Sequence, residues 1–188
     1  MANPDKPNGF RLVGKLGSAP QNNGCTEYQI ASGQAGSIFS GDPVQMLTGG
    51  TISVVNSATT VKILGIFRGC KFVDTDGSIT YKAHFPNGQT STSTIIALVE
   101  DNPENLYVVQ SKGSLALTDV GANVDLGTYV AGDTVSGQSK AEINDTSTAS
   151  AAQFRIISKV NAPDNDFGTN VKMVVKINEH AYSNLAGV

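Results

Sequence analysis

The sequence has few charged residues, no tryptophan and no long hydrophobic run. Charged residues make up 15% of its 188 positions, against about 25% in an average soluble domain. The formal net charge is −3, so the chain has no basic surplus with which to neutralise phosphates, and nucleic-acid binding is not expected. No apolar run approaches the roughly 18 residues that cross a bilayer, so no membrane partner is expected either.

Cysteine is also scarce, and the N-terminal residues lack the apolar segment of a signal peptide. The sequence has two cysteines, Cys25 after a loop-like Gln-Asn-Asn-Gly stretch and Cys70 within an apolar run. Without an export signal, we expect synthesis in a reducing cytoplasm, where disulfides are rare. We therefore predict one exposed and one buried free thiol, and a Cys25–Cys70 disulfide remains the alternative.

The residues that are abundant favour β-structure. Valine and isoleucine together number 30, against 10 leucines, and Ser, Thr, Asn and Gln together number 56. β-Branched side chains suit a pleated surface, whereas leucine and methionine favour helices. The composition therefore predicts an all-β protein and argues against a helical bundle or a doubly wound α/β enzyme.

Short apolar segments alternate with turn residues along most of the chain. We count about ten strands, no internal repeat and no interior linker, which is typical of a single β-sandwich or a Greek-key or jelly-roll-like barrel. Its predicted extent is residues 25–180. Residues 1–24 are predicted to form an extended N-terminal arm, and residues 181–188 a C-terminal tail.

Three segments give the clearest local predictions. Asp74-Thr75-Asp76-Gly77 predicts a hairpin turn between a strand within 61–73 and a strand within 78–85. The first of these strands is apolar on both faces, and we expect Gly65 and Gly69 to bend or bulge it. In the second of these strands, Ile79 and Tyr81 share one face. The segment 171–178 alternates cleanly, with Val, Met, Val and Ile on one face and lysines on the other.

No segment carries a complete catalytic or ligand-binding motif. The stretch 9–16 has the Gly and Lys spacing of a phosphate loop, but Leu16 stands where a magnesium-binding hydroxyl is needed. The turn at 74–79 resembles the middle of a calcium loop whose first and last ligands are missing. His84 and His180 are the only imidazoles, and we expect both at the surface. We therefore predict no catalytic residues, no cofactor and no metal site.

An ordered set of short segments resembles the capsid decoration, or cement, proteins of tailed bacteriophages. These segments are Asn8–Gly14 followed by Ala19-Pro20, Ile38–Val44, Ile63–Phe67, Leu98–Pro103, Asp119–Leu126, Gly137–Ser139, Arg155–Ile157, Pro163–Asn165 and Val175–His180. They are distributed along most of the chain. Each segment alone is an ordinary turn or strand sequence, and it is their order that is characteristic.

The resemblance implies a non-enzymatic virion protein, made in the host bacterial cytoplasm, that binds the outside of the head shell and stabilises it. Its partners would be the major capsid protein and further copies of itself, with a trimer slightly favoured over a dimer. Residues 1–16 and 178–188 are predicted to lie outside the core and to contact the capsid or neighbouring subunits, so that deleting 1–16 should leave the β-core folded. The candidate contact residues are Phe10, Arg11, Leu12, Val13, Tyr182 and Leu185.

Two other classes of function remain open. The chain is alternatively another virion component, such as a tail, head-completion or receptor-binding β-domain. An adhesin of that kind usually exposes an aromatic-lined cleft, and aromatic residues make up only 6% of this chain. The second alternative is an enzyme on a β-barrel, which requires His84 or His180 to meet carboxylates in a pocket.

Overall fold

A computed structural model describes residues 3–18, 20, 24–56 and 61–183. These residues form fourteen strands and two 3₁₀ turns, Leu16–Ser18 and Leu117–Asp119. The strands are β1 Arg11–Lys15, β2 Thr26–Ile30, β3 Pro43–Met46, β4 Ile52–Val54, β5 Gly65–Val73, β6 Ile79–Lys82, β7 Ile95–Glu100, β8 Asn105–Gln110, β9 Ser114–Leu115, β10 Asn123–Leu126, β11 Ile143–Thr148, β12 Phe154–Lys159, β13 Gly168–Thr169 and β14 Lys172–Ile177. The all-β prediction is confirmed, with fourteen strands instead of about ten. In this described part of the chain, no helix has the length and apolarity needed to span a membrane.

Twelve of these strands build two large antiparallel sheets in a sandwich- or barrel-like arrangement, and β9 and β13 form a separate two-stranded sheet. The first sheet has the order β2-β7-β5-β3-β4, with β6 added beside β5, and the second has the order β1-β8-β14-β12-β10-β11. Each sheet curls back on itself through one parallel bridge. Gln29 of β2 pairs with Thr51, and Ser111, directly after β8, pairs with Ile143 of β11.

The two sheets repeat one topology. In chain order, β2, β3, β4, β5 and β7 of the first sheet correspond to β8, β10, β11, β12 and β14 of the second. The pairing register shifts at the same place in both, between Phe67 and Gly69 of β5 and between Ile156 and Ser158 of β12. The expectation of no internal repeat is therefore wrong at the level of the fold.

A glycine turn occurs at the same point of each repeat, just before β3 and just before β10. Gly41 has φ +99° and donates its N–H to Phe67 O at 2.8 Å, whereas Gly121 has φ +90° and donates to Ile156 O at 2.9 Å. A positive φ is strained for residues with a side chain. Both turns therefore use glycine, and they deliver the chain into equivalent strands.

Each sheet contributes most of one hydrophobic core. The first-sheet core includes Phe67, Phe72 and Val99, and the second-sheet core includes Phe154 and Val175. The alternation in β14 is confirmed, because Met173, Val175 and Ile177 are buried and the two lysines are partly exposed. The hairpin at 74–77 and the irregularity at Gly69 are also confirmed. β5, however, starts at Gly65, so the strand is shorter than the apolar run that predicted it.

Candidate functional site

Phe10 lies inside the protein, not on a free arm. Its side chain is 0% exposed and stacks on the ring of Phe154 with a centroid distance of 4.7 Å. The Phe10 N–H donates to Gly41 O at 2.9 Å, which ties the N-terminal segment to the first sheet as well. The prediction that residues 1–16 lie outside the core is therefore wrong for Phe10. Deleting these residues would remove β1 and open the second core.

The next three candidate contact residues belong to β1, whose side chains alternate between the core and the surface. Leu12 packs against the second core, so it too lies partly inside the protein. Arg11 is exposed, and Val13 is 49% exposed. Of these three residues, Arg11 and Val13 therefore remain accessible to a partner.

Tyr182, one of the two C-terminal candidates, lies at one end of the first sheet. Tyr182 is 58% exposed, and its hydroxyl is 3.1 Å from that of Tyr28. Tyr28 in turn donates its O–H to Asp101 Oδ2 at 2.7 Å, and Thr26 donates its hydroxyl to Asp101 Oδ1 at 2.9 Å. Burial and these hydrogen bonds raise the pKa of Tyr28, so it stays a neutral donor. Leu185 lies outside the described residues.

An exposed apolar surface lies on the outer side of the first sheet, and we call it the β6 face. It consists of Val73, Ile79, Tyr81 and Ile96, grouped around Lys71 in one shallow groove. Ile79 is 69% exposed and Tyr81 is 70% exposed. The alternation of β6 is visible in the sequence, but nothing there indicates that the apolar side of this strand faces solvent.

A buried carboxylate joins the two halves of the chain. Asp42 is 0% exposed and accepts hydrogen bonds from the Phe39 N–H at 2.8 Å and the Ser139 hydroxyl at 2.5 Å. Ser139 Oγ also accepts the Ala141 N–H at 2.8 Å. Burial raises the pKa of Asp42 to about 6 despite these two donors. The sequence showed only a Gly-Asp-Pro turn here, so this contact could not be foreseen.

Glu100 and Arg68 form an ion pair at the same end of the first sheet as Asp101. Glu100 Oε1 lies 3.4 Å from Arg68 Nε, and Glu100 is 4% exposed. Burial raises the pKa of Glu100, while the Arg68 charge partly offsets that effect. Nearby Cys25 is exposed and Cys70 is buried, and both are free thiols, which confirms the predicted thiol states.

The two histidines occupy different environments from those expected. His180 is 0% exposed, which corrects its predicted surface position, and its Nδ1 accepts the Tyr182 N–H at 3.1 Å. His84 is partly buried and stacks on Phe39 with a centroid distance of 5.5 Å. Burial lowers the pKa of each imidazole, so both are neutral at pH 7.

Asp42, Asp101 and the Glu100–Arg68 pair make contacts that hold strands and loops together. Within the described part of the chain, no three His, Cys, Asp or Glu side chains are grouped so as to hold a metal ion. The β6 face groups exposed apolar side chains on one surface, as at sites of contact with other proteins. Comparison of the chain with protein-family models, with curated proteins and with solved structures finds no match.

Proposed function

We propose that this chain is a non-enzymatic virion structural protein that binds the outside of a tailed-phage head shell and stabilises it. The observation that carries the proposal is the β6 face, where Ile79 and Tyr81 stand side by side and about 70% exposed. Apolar side chains exposed together on a folded surface are typical of protein–protein contact sites. The major capsid protein is the proposed partner, and the virion surface the proposed location.

The low charge of the chain supports the same function. Charged side chains lose hydration when an interface closes, so a surface that presents mostly neutral polar groups loses less free energy on association. Many modest contacts made by an oligomer then add up, because later contacts form at high effective concentration. The resemblance of the ordered segments to those of decoration proteins is the reason for proposing a phage head as the binding partner.

Binding to purified shells tests the proposal directly. Protein mixed with expanded, undecorated heads should sediment with them saturably, at a stoichiometry that matches the lattice. The absence of saturable co-sedimentation would overturn the proposal. Selective binding to purified tails instead of heads would favour the alternative virion role.

A pair of variants tests the β6 face. Ile79→Asp should weaken head binding about tenfold or more, because fully burying an isoleucine contributes about 1.5–3 kcal/mol. Leu117→Asp is the matched control, since Leu117 is 70% exposed and Ile79 69%, and it should bind as the wild type does. Equal binding by all three proteins would exclude the β6 face as the contact surface.

A further inference from the structure

The outer edge of β2, which we define as the side of Gly24–Tyr28 that faces away from β7, is the least protected strand edge in the described structure. Thr26–Ile30 pair with β7 in one continuous register, with no bulge. Other edge strands are shorter, such as β4 and β6, or carry a register shift, such as β1 and β11. Short length and bulges are the usual protections against edge pairing.

The repeated topology shows how the same edge is treated in the second sheet. There β8, the counterpart of β2, is covered by β1 in antiparallel pairing. β7 and β14 are equivalent strands, and β2 pairs with β7 as β8 pairs with β14. When the two pairings are superposed, Thr26 occupies the position of Tyr107. The outer edge of β2 therefore corresponds to an edge that this fold already fills with an added strand.

The backbone at this edge is directed outward. The Lys112 N–H donates to Ile143 O, and Ile143 lies on the same side of β8 as β1. Backbone N–H and C=O groups alternate between the two edges of a strand. Val108 and Leu106 therefore direct their backbone groups to the same side as Lys112. Val108 pairs with Arg11 of β1. The counterparts of Val108 and Leu106 in the first sheet are Glu27 of β2 and Cys25, directly before β2. Their N–H and C=O groups face away from β7, and in the structure as described they have no strand partner.

The side chains of β2 do not oppose pairing with an identical strand. Glu27 is the only charged residue of β2, and its Oε1 lies 2.8 Å from Lys71 Nζ of the same sheet. Its charge is thereby partly compensated before any partner arrives. Thr26 and Gln29 are neutral, and Gln29 is bridged to Thr51. The part of the edge available to a partner is therefore Gly24–Tyr28, whose centre is Thr26.

We propose that the outer edge of β2 pairs with the β2 of a second copy of this chain, antiparallel and about a two-fold axis at Thr26. In this register Thr26 faces its own copy, and Cys25 faces Glu27 of the partner without opposing like charges. The two first sheets become one continuous sheet. Closed two-fold dimers are the commonest protein assemblies, and this contact is independent of any binding to a phage head.

A substitution that removes one outward N–H tests the pairing. The full-length protein should sediment as a dimer, at twice the 19.5 kDa of one chain. Glu27→Pro should sediment as a monomer, because proline lacks the N–H that faces the partner and leaves the bonds to β7 in place. Glu27→Ala is the matched control. It removes the carboxylate but keeps the N–H, and should remain a dimer.

A cysteine at the proposed axis gives an independent result that does not depend on tolerance of proline. Facing residues in a non-hydrogen-bonded antiparallel pair have Cα atoms about 4.5 Å apart, which is within the disulfide range. In a Cys25→Ser background, Thr26→Cys should form a disulfide-linked dimer on mild oxidation. Leu117→Cys, at an exposed position in the second half, should stay monomeric on a non-reducing gel.

Three results would overturn the proposal. The first is a wild-type protein that is monomeric at every concentration measured. The second is an oligomer of any size, including the trimer favoured by the sequence, that folded Glu27→Pro leaves unchanged. The third is a failure of Thr26→Cys to cross-link above the Leu117→Cys control.

Discussion

At the scale of single residues, Phe10 shows how far a short N-terminal segment can contribute to a core. The ring is fully buried. Its centroid lies 6.4 Å from that of Tyr107 in an edge-to-face arrangement, and Phe154 stacks on it. Aromatic pairs of this geometry add stabilisation beyond the area that they bury. The N-terminal segment is therefore a structural part of the second sheet.

Phe10→Ala should lower the free energy of unfolding by about 3–5 kcal/mol, the usual cost of truncating a buried aromatic residue. Val13→Ala, three residues along and 49% exposed, should change it by no more than about 0.5 kcal/mol. Urea unfolding followed by far-UV circular dichroism measures both. Equal effects of the two substitutions would contradict the placement of Phe10 in the core.

The buried carboxylate of Asp42 should make stability depend on pH. Its folded pKa, about 6, is above the value near 3.9 of an unfolded aspartate. The folded state therefore binds this proton more tightly, and the contribution of Asp42 to stability falls as pH rises from about 4 to about 6, then levels off.

Comparing Asp42→Asn with the wild type isolates this contribution. The pKa of both histidines is lowered and that of Glu100 is raised in each of the two proteins, so their effects cancel in the difference in stability. The stability of Asp42→Asn relative to the wild type should rise between pH 4 and pH 6 and stay constant above about pH 7. Urea unfolding at a series of pH values measures the difference. A difference that does not vary with pH would mean that Asp42 does not titrate in this range.

At the scale of elements, the two glycine turns allow a matched comparison. A Cβ on Gly41 would lie 3.3 Å from Gly9 Cα and Phe10 N, whereas one on Gly121 would meet nothing within 4 Å. Both substitutions introduce positive-φ strain of order 1–3 kcal/mol. Gly41→Ala should therefore be the more destabilising of the two in thermal unfolding, because its Cβ also pushes against Gly9 and Phe10, directly before β1. Equal losses would show that the contact with the N-terminal segment has no energetic weight.

The elements differ in how well the sequence predicts them. β14 and the 74–77 hairpin are predictable, because alternation and turn residues are local signals. The repeated topology is not predictable from the sequence, because the two repeats share their strand pairing but not the residue types at equivalent positions. Gly65 and Phe154 occupy corresponding positions against β3 and β10, and Asp42 corresponds to Ala122. The exposure of Ile79 and the burial of Phe10 are also set by packing between distant segments, which no local pattern contains.

At the scale of the whole molecule, several contacts join the two sheets into one unit. Besides the Asp42–Ser139 pair, Gln153 Nε2 donates to Val61 O at 3.2 Å and the Ala181 N–H donates to Ile63 O at 2.9 Å. With such contacts between the repeats, neither core can open without breaking bonds to the other. The two halves are therefore expected to unfold together.

Native-state hydrogen exchange measures this cooperativity at equivalent amides. The Phe67 N–H donates to Asp42 O and the Ile156 N–H to Ala122 O, at 2.9 and 3.0 Å. Both amides should exchange with the same opening free energy, equal to that of global unfolding. Two distinct opening energies would show that the repeats unfold independently.

The position of β1 also limits how many neighbours the molecule can take. Of the two equivalent edges in the repeat, β1 covers the one on β8, whereas no strand of the described residues covers the one at Gly24–Tyr28. A particle with two such edges has a valence of two and can polymerise into open fibrils. A particle with one has a valence of one, and pairing at that edge ends growth after a single partner. By covering the edge on β8, β1 therefore stops an assembly of these molecules from growing beyond two copies.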